Sequence, residues 1–432
     1  MIQQIINRIQ NSDIGKRIVN GAFWSFSGTA IAKLVVLVSS IICAHILTKA
    51  QYGEFGIVRS TINMFVVFGE AGLGLTATKY ISEFRKTDRD HISSIYVLTN
   101  LFAVITGIIA CSLLIIFSST IAANALHAPH LEPSVKIGAV MLFVAVINGA
   151  QLGVLSGFEN FKSIAINTLF GSISEAIFML LGAYLYGVTG AVLGFGVGFI
   201  VLLILNQAAI KKLFRKNGLF VSINSLRKSD VSLLYKFSLP AALSSILIAP
   251  TYWVIKTMLV DINGFEELAS FEAADQWRVI ALFIPSAISQ IVLPILSSIV
   301  NVDKQKFWKV LWYNIMLNGT ISLIIALIII VFRGIIMNTY GSSYDNVSVL
   351  SFLALSTIFS SVANVVGMSI ASRSKMWEGF LFNLAWAAMV IGFSYILLKM
   401  SYGATGIAIA LLCAYIIHSV LQLLYLALIV KK

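Results

Sequence analysis

The run Tyr186-Gly-Val-Thr-Gly190 returns 216 positions later as Tyr402-Gly-Ala-Thr-Gly406. Ser156 and Asn167 return at the same offset as Ser372 and Asn383, and the offset is half of the 432-residue chain. Self-similarity at that period means a fold built from two copies of one unit. The weak likeness elsewhere fits copies held to a common shape by packing.

The solvent of those copies follows from composition. Hydrophobic residues make up 59% of the chain and charged residues 11%, where a soluble domain carries roughly 25% charged. Stretches long enough to cross a bilayer recur near 19–46, 55–78, 92–118, 134–156, 164–186, 188–210, 236–260, 271–299, 310–332, 346–370, 379–398 and 404–430. They read as helices, because the alternation of a membrane barrel is absent and runs such as Ile324–Val331 are apolar all round. The expected fold is an all-α polytopic membrane protein of about twelve spans. Its two parallel six-helix lobes, residues 1–216 and 217–432, would be related by a pseudo-twofold axis along the membrane normal, with a cavity between them.

The formal charge of +12 invites a nucleic-acid reading, but its distribution points to topology. With the N-terminus inside, the inner segments collect Arg85, Lys86, Lys211, Lys212, Arg215, Lys216, Arg227, Lys228, Lys236 and many of the other basic residues. The outer side holds Lys49, Lys136, Arg333 and Lys399. That asymmetry places both termini in the cytoplasm and assigns the excess charge to anionic lipid. Ile2, Ile5, Ile6 and Ile9 form an apolar stripe before the first span, as in a helix lying on the inner surface. Cys43, Cys111 and Cys413 all fall inside spans and read as packing residues. His127 and His130 in an outer loop lack a third metal ligand nearby. Neither GxxxxGK[ST] nor GxGxxG occurs, which excludes a P-loop nucleotide motor and a dinucleotide fingerprint. No cofactor is implied.

Charges at bilayer depth are costly, at least roughly 2.5–3.5 kcal/mol each on insertion scales. Here they gather in the opening helices of each half. Lys33 lies on a small, polar stripe of the first helix. In the second, Arg59, Asn63, Val66 and Glu70 share a face; in the seventh, Ser245, Ala249, Tyr252 and Lys256 do so. Glu272, Asp275 and Arg278 crowd the eighth, and Glu175 stands in the fifth. Arg59, Lys256 and Glu272 near span ends have an interfacial reading as well. Asp275 and Arg278, three apart, have one as a self-neutralising pair. Taken together, a polar cavity between the halves accounts for more of them. Lys33, Arg59, Lys256 and Arg278 would suit an anionic substrate such as a phosphate or diphosphate.

Three stretches carry a family likeness: Ala44-His-Ile-Leu-Thr-Lys-Ala-Gln-Tyr-Gly-Glu-Phe55, Glu70-Ala-Gly-Leu-Gly-Leu-Thr-Ala-Thr-Lys-Tyr-Ile-Ser-Glu83, and Leu268-Ala-Ser-Phe-Glu-Ala-Ala-Asp-Gln-Trp277 with Pro285-Ser-Ala-Ile and Pro294-Ile-Leu-Ser297. With its length and two-halves plan, the chain resembles the Wzx-type O-antigen or polysaccharide-repeat flippases of the multidrug/oligosaccharidyl-lipid/polysaccharide exporter superfamily. Where that family's first loop usually reads Leu-Gly-Pro, this chain has Leu47-Thr48-Lys49. The resemblance implies a bacterial inner-membrane protein of surface polysaccharide or lipopolysaccharide synthesis, not an enzyme. Its substrate would be an undecaprenyl-diphosphate-linked oligosaccharide moved from the inner to the outer leaflet. The implied partners are that lipid, membrane lipids, a coupling proton or sodium ion, and a polysaccharide polymerase with its chain-length regulator. Glu70, Glu175, Glu272 and Asp275 are the candidates for ion coupling or charge pairing.

Other readings make different demands. A multidrug or cation antiporter of the same superfamily favours acidic cavities. A lipid II flippase usually carries two further helices. A membrane-embedded polymerase or glycosyltransferase would show a long outer loop or a DxD-type motif, and this sequence shows neither.

Overall fold

The structure is a computed structural model, and it describes residues 13–85, 88–219, 226–227, 230–233, 246–289, 304–373 and 375–431. The inner-surface stripe at Ile2–Ile9, Ser245, and the Pro294–Ser297 motif lie outside the described residues. The described chain is all-α. Its principal helices are α1 (Asp13–Ile46), α2 (Lys49–Glu70), α3 (Leu73–Phe84), α4 (Arg89–Ile116), α5 (Glu132–Gly157) and α6 (Phe161–Asn217) in the first half. The second half has α7 (Ile248–Asn263), α8 (Phe265–Ala281), α9 (Lys304–Val331), α10 (Val347–Ala371), α11 (Met376–Lys399) and α12 (Gly403–Lys431). Among the described residues eight helices are long and apolar enough to cross a membrane: α1, α4, α5, α6 and α9 to α12. Helices α2, α7 and α8, with Glu175 of α6, carry the interior charges.

The repeated Tyr-Gly-x-Thr-Gly motif proves to be a turn. Helix α6 holds 57 residues, about 85 Å of helix at 1.5 Å per residue and far more than a bilayer needs. Tyr186 (φ −136°, ψ 17°) and Gly187 (φ 58°, ψ −138°) leave helical geometry, and the chain doubles back there. Gly187 and its mate Gly403 (φ 50°) supply the left-handed backbone. The second glycine leaves room for the tyrosine: a Cβ on Gly190 would lie 2.9 Å from the Tyr186 Cβ, and one on Gly406 would lie 3.0 Å from the Tyr402 Cβ. The threonine ties each turn to the start of an earlier helix of its own half. Thr189 Oγ1 and Ser134 Oγ share a hydrogen bond of 2.9 Å. Thr405 Oγ1 donates to Asn346 Oδ1 at 3.1 Å. Beyond the first turn, Gly182 and Gly190 press backbone to backbone, as do Gly194 and Phe178.

Two boundaries differ from the sequence expectation. The second span was expected to continue to residue 78. Helix α2 instead ends at Glu70, with Ala71 (φ 42°) and Gly72 (φ 73°) in left-handed conformation. The reason is close docking. Helix α3 lies on the glycines of α5, where a Cβ on Gly74 would fall 2.8 Å from the Gly149 carbonyl and Gly153 meets Gly74 directly. A straight helix would not reach that seat. The connections expected between spans at 48–54 and 261–270 are also mostly helical. Thr48 caps α2 in a reciprocal capping box with Gln51, and Gly264 (φ 87°) alone separates α7 from α8.

The described parts of the segment after α6 are held to the first half. Asp230 is 3% exposed; its Oδ1 lies 2.9 Å from His91 Nε2 and its Oδ2 accepts from Ser94 Oγ at 2.6 Å. Arg227 Nη1 reaches Asp88 at 3.2 Å. Leu226 and Val231 pack on Leu73, Leu98 and Val146.

Candidate functional site

The two halves meet along a seam between α2 and α8. Gly53 makes the approach possible, because its Cα faces the Phe265 carbonyl so closely that no side chain would fit. Neighbouring contacts close this end of the molecule. His45 Nε2 donates to the Thr339 carbonyl at 2.8 Å and Lys49 Nζ to the Ser343 carbonyl at 2.7 Å. Tyr52, buried and bonded to Ser40 at 2.5 Å, packs its ring among Tyr340 and Tyr344. His127 of the first half pairs with Asp261 of the second at 3.1 Å on the exposed rim.

One turn further along the seam the chemistry changes. Arg59 of α2 donates to Glu272 Oε2 of α8 at 3.0 Å, and Lys256 of α7 lies 2.6 Å from Glu272 Oε1. Gln276, its amide turned to accept, receives Arg59 Nη2 at 2.8 Å. Arg278 donates to Asp275 Oδ1 at 2.5 Å and stacks its guanidinium 5.0 Å from the Tyr252 ring. Glu272, Lys256 and Arg278 are 2%, 7% and 8% exposed. Pairing is what allows such burial, since a lone charge here would lose its hydration without return.

These groups sit at one end of a cavity of about 580 Å³. From the Arg59 layer it runs away from the closed end, past Asn63 and Val67 of α2, Glu175 and Phe199 of α6, Ala249 and Tyr252 of α7, and Val279 of α8. Such a volume lies within the range of ligand pockets, roughly 300–1,000 Å³. Its walls offer three cations, three carboxylates, two amides and three aromatic rings. Arg59, Lys256 and Arg278 are engaged with Glu272 and Asp275, whereas Glu175 makes no ion pair among the described residues.

The structure thus brings together Arg59, Lys256, Arg278, Glu175, Glu272 and Asp275. It does not bring Lys33 or Glu70 to them. Lys33 is half-buried one turn before Val36, the α1 residue that lines the cavity. Glu70 is turned onto α5, where its carboxylate lies against Gly149. Eleven residues keep nearly the same helix face but carry Glu70 about 16 Å along the axis, to the last residue of α2, and the cavity takes Val67 in place of Val66. At the 216-residue repeat offset Arg59 falls on Asp275, and the ion-pair partner of Arg59 is Glu272, one turn earlier on α8. Gln276, Ser60 and the Trp253 Nε1 bond to Thr61 at 2.9 Å went unread in the sequence. Gln276 stands four residues after Glu272, a signal that helical spacing alone supplies. His130 pairs with Glu54 at 2.8 Å, and no cluster of three metal-ligating side chains occurs among the described residues.

The comparisons with known proteins agree with this architecture. Residues 18–300 match the model of a family described as "Polysaccharide biosynthesis protein". The chain is 24% identical over 406 residues to the EPS I polysaccharide export inner membrane protein EpsE of Ralstonia solanacearum, covering 90% of this chain and 89% of that one. Among solved structures it resembles a multidrug resistance MATE family transporter of the MOP superfamily. The inward-facing conformation gives a TM-score of 0.83 at 15% identity, over 93% of this chain and 94% of that one. The outward-facing conformation gives 0.73 at 16%, over 96% of each. A MOP superfamily transporter from Pyrococcus furiosus gives 0.74 at 15%, over 98% and 97%.

Proposed function

Since this chain belongs to the polysaccharide biosynthesis protein family, we propose that it is an inner-membrane polysaccharide exporter that flips undecaprenyl-diphosphate-linked oligosaccharide units from the inner to the outer leaflet, as in O-antigen or related surface polysaccharide synthesis. The observation that carries this reading is the convergence of Arg59, Lys256 and Arg278 on one cavity between the halves. Guanidinium and ammonium groups are the partners a diphosphate seeks. Tyr252, Phe195 and Phe199 offer ring faces, and Asn63 and Gln276 offer amides, to the sugars that follow. The isoprenoid tail stays in lipid.

In this reading residues 1–216 and 217–432 are two lobes that rock about the site. Both termini lie in the cytoplasm, and the closed end bearing Thr48 and Gly264 faces outward. The cavity then opens to the leaflet where the substrate is made. Glu175, the cavity carboxylate free of an ion pair among the described residues, is our candidate for the coupling proton or sodium ion. Lys33 and Glu70 take supporting places outside the cavity, and a polymerase with its chain-length regulator is the natural next partner. Catalysis of a covalent step has no part in this scheme.

The test is reconstitution. Proteoliposomes with a fluorescent undecaprenyl-diphosphate saccharide should lose inner-leaflet label in a protein-dependent way, and Arg59→Gln or Arg278→Gln should cut the rate at least tenfold. Transport of a cationic dye with no movement of the lipid-linked saccharide would establish the drug-antiporter reading instead.

A further inference from the structure

We propose that Glu272 locks the two halves together at the closed end of the cavity, and that an entering anion opens the lock by drawing Arg59 and Lys256 away from it. The proposal rests on the anionic-headgroup reading above and adds how the site governs the seam. One carboxylate serves two cations: Arg59 at 3.0 Å from the first half and Lys256 at 2.6 Å from the second. It is 2% exposed, so these two are its compensation for lost water. Arg59, at 16% side-chain exposure, is the member that reaches the cavity most openly.

A diphosphate brings more charge and more acceptor oxygens than a carboxylate, and a bidentate geometry that guanidinium matches. Once it holds Arg59 and Lys256, Glu272 must find water. The backbone decides where that water comes from. Gly56 of α2 presses on the Glu272 side chain, so closely that a Cβ there would lie 2.6 Å from its Cγ and 2.9 Å from its Cδ. On its cavity side Glu272 then faces the bound anion, and on its other side Gly56 leaves no room, so water reaches the carboxylate only if α2 and α8 part. Release of Glu272 and opening of the seam are therefore one event. The rest of the seam is suited to yield: it is held by Gly53 against the Phe265 carbonyl, by a tyrosine cluster, by His45 and Lys49 on backbone carbonyls, by the Trp253–Thr61 hydrogen bond and by the His127–Asp261 pair on the exposed rim. The empty protein stays shut on that side, and occupancy is what unlatches it.

The experiment uses the full chain with Cys43, Cys111 and Cys413 replaced by Ala and a cysteine pair at Lys49 and Ser343, which meet across the seam. Farnesyl diphosphate is the probe, its binding followed by calorimetry and the seam by cross-linking in proteoliposomes. We expect efficient cross-linking without probe and at least a fivefold loss at saturating probe. Glu272→Gln should show the low yield without probe and no further response. Glu272→Asp, which keeps the charge but shortens the reach, should lie between and supplies the decision if the Gln variant does not fold. Probe binding with unchanged cross-linking, or a Gln or Asp variant as cross-linked as the parent and equally responsive, overturns the lock alone. Absence of probe binding overturns the headgroup reading and the lock with it.

Discussion

Gly56 and Glu272 stand face to face across the two halves, so close that a methyl group on the glycine would lie 2.6 Å from the Cγ of the glutamate. One turn earlier Gly53 meets a backbone carbonyl, which unlike a side chain has nowhere to move. Gly53→Ala should therefore strain the seam more than Gly56→Ala. Overpacking costs about 1–3 kcal/mol, enough for a roughly five- to hundredfold shift toward the parted state. Thiol labelling of a cysteine at Tyr52 measures it, and Gly53→Ala labelling as slowly as the parent would show that the glycine does not hold the seam.

Arg278 and Asp275 form a pair that tolerates joint removal better than single removal. Arg278→Ala leaves Asp275 without its cation at a site 14% exposed; breaking buried pairs costs about 3–5 kcal/mol, and less where cavity water reaches the acid. The expected result is a low yield of monodisperse Arg278→Ala protein. The double variant Asp275→Asn with Arg278→Gln should restore the yield but not export. Equal yields for the single and double variants would separate Asp275 from any structural dependence on Arg278.

Glu175→Gln should leave substrate exchange between leaflets intact and abolish the response of flux to an imposed proton or sodium gradient. The measurement is flux in proteoliposomes with each gradient in turn. A variant that still follows either gradient assigns coupling elsewhere, with Asp275 next in line.

At its N-terminus α4 is capped by Asp88. The His91 amide N–H that it accepts at 3.0 Å, aided by Arg227, holds its carboxyl below the ordinary carboxylate range. A depressed folded-state pKa gives stability that is present above the unfolded value, near 3.9, and is lost as pH falls through the folded one. The melting temperature of the parent should exceed that of Asp88→Asn at neutral pH. The gap should hold down to about pH 5 and close below about pH 4. A gap that grows on acidification contradicts the assignment.

Much of the architecture was legible in the chain because lipid imposes it. Apolar length and the Tyr-Gly-x-Thr-Gly repeat announce helices and turns, and both turns sit where the motif lies. The break after Glu70 was harder to read. Ala71 adopts left-handed backbone only because α3 must reach the glycines of α5, a demand set by partners some 75 residues away. The charged residues of the site could be listed from their cost in lipid, and the Asp275–Arg278 pair could be read from its spacing, but the pairing of Arg59 and Lys256 with Glu272 could not. Arg59 chooses Glu272 over Asp275 through the relative rotation of α2 and α8, which the closeness of Gly53 and Gly56 fixes. Lys33 and Glu70 carry the same cost in the sequence, yet one stands a turn before the cavity-lining Val36 and the other at the end of α2 against Gly149.

The turn at Tyr186–Gly187 has a consequence for how the protein is made. With Gly182 set against Gly190 and Phe178 against Gly194, the two arms of α6 are shaped for each other before any later helix is made. No charged residue separates them for a ribosome-bound translocon to recognise as a loop. The arms should therefore enter the bilayer together as one hairpin, and a nascent chain halted near Gly187 should remain uncommitted to the lipid until the second arm emerges.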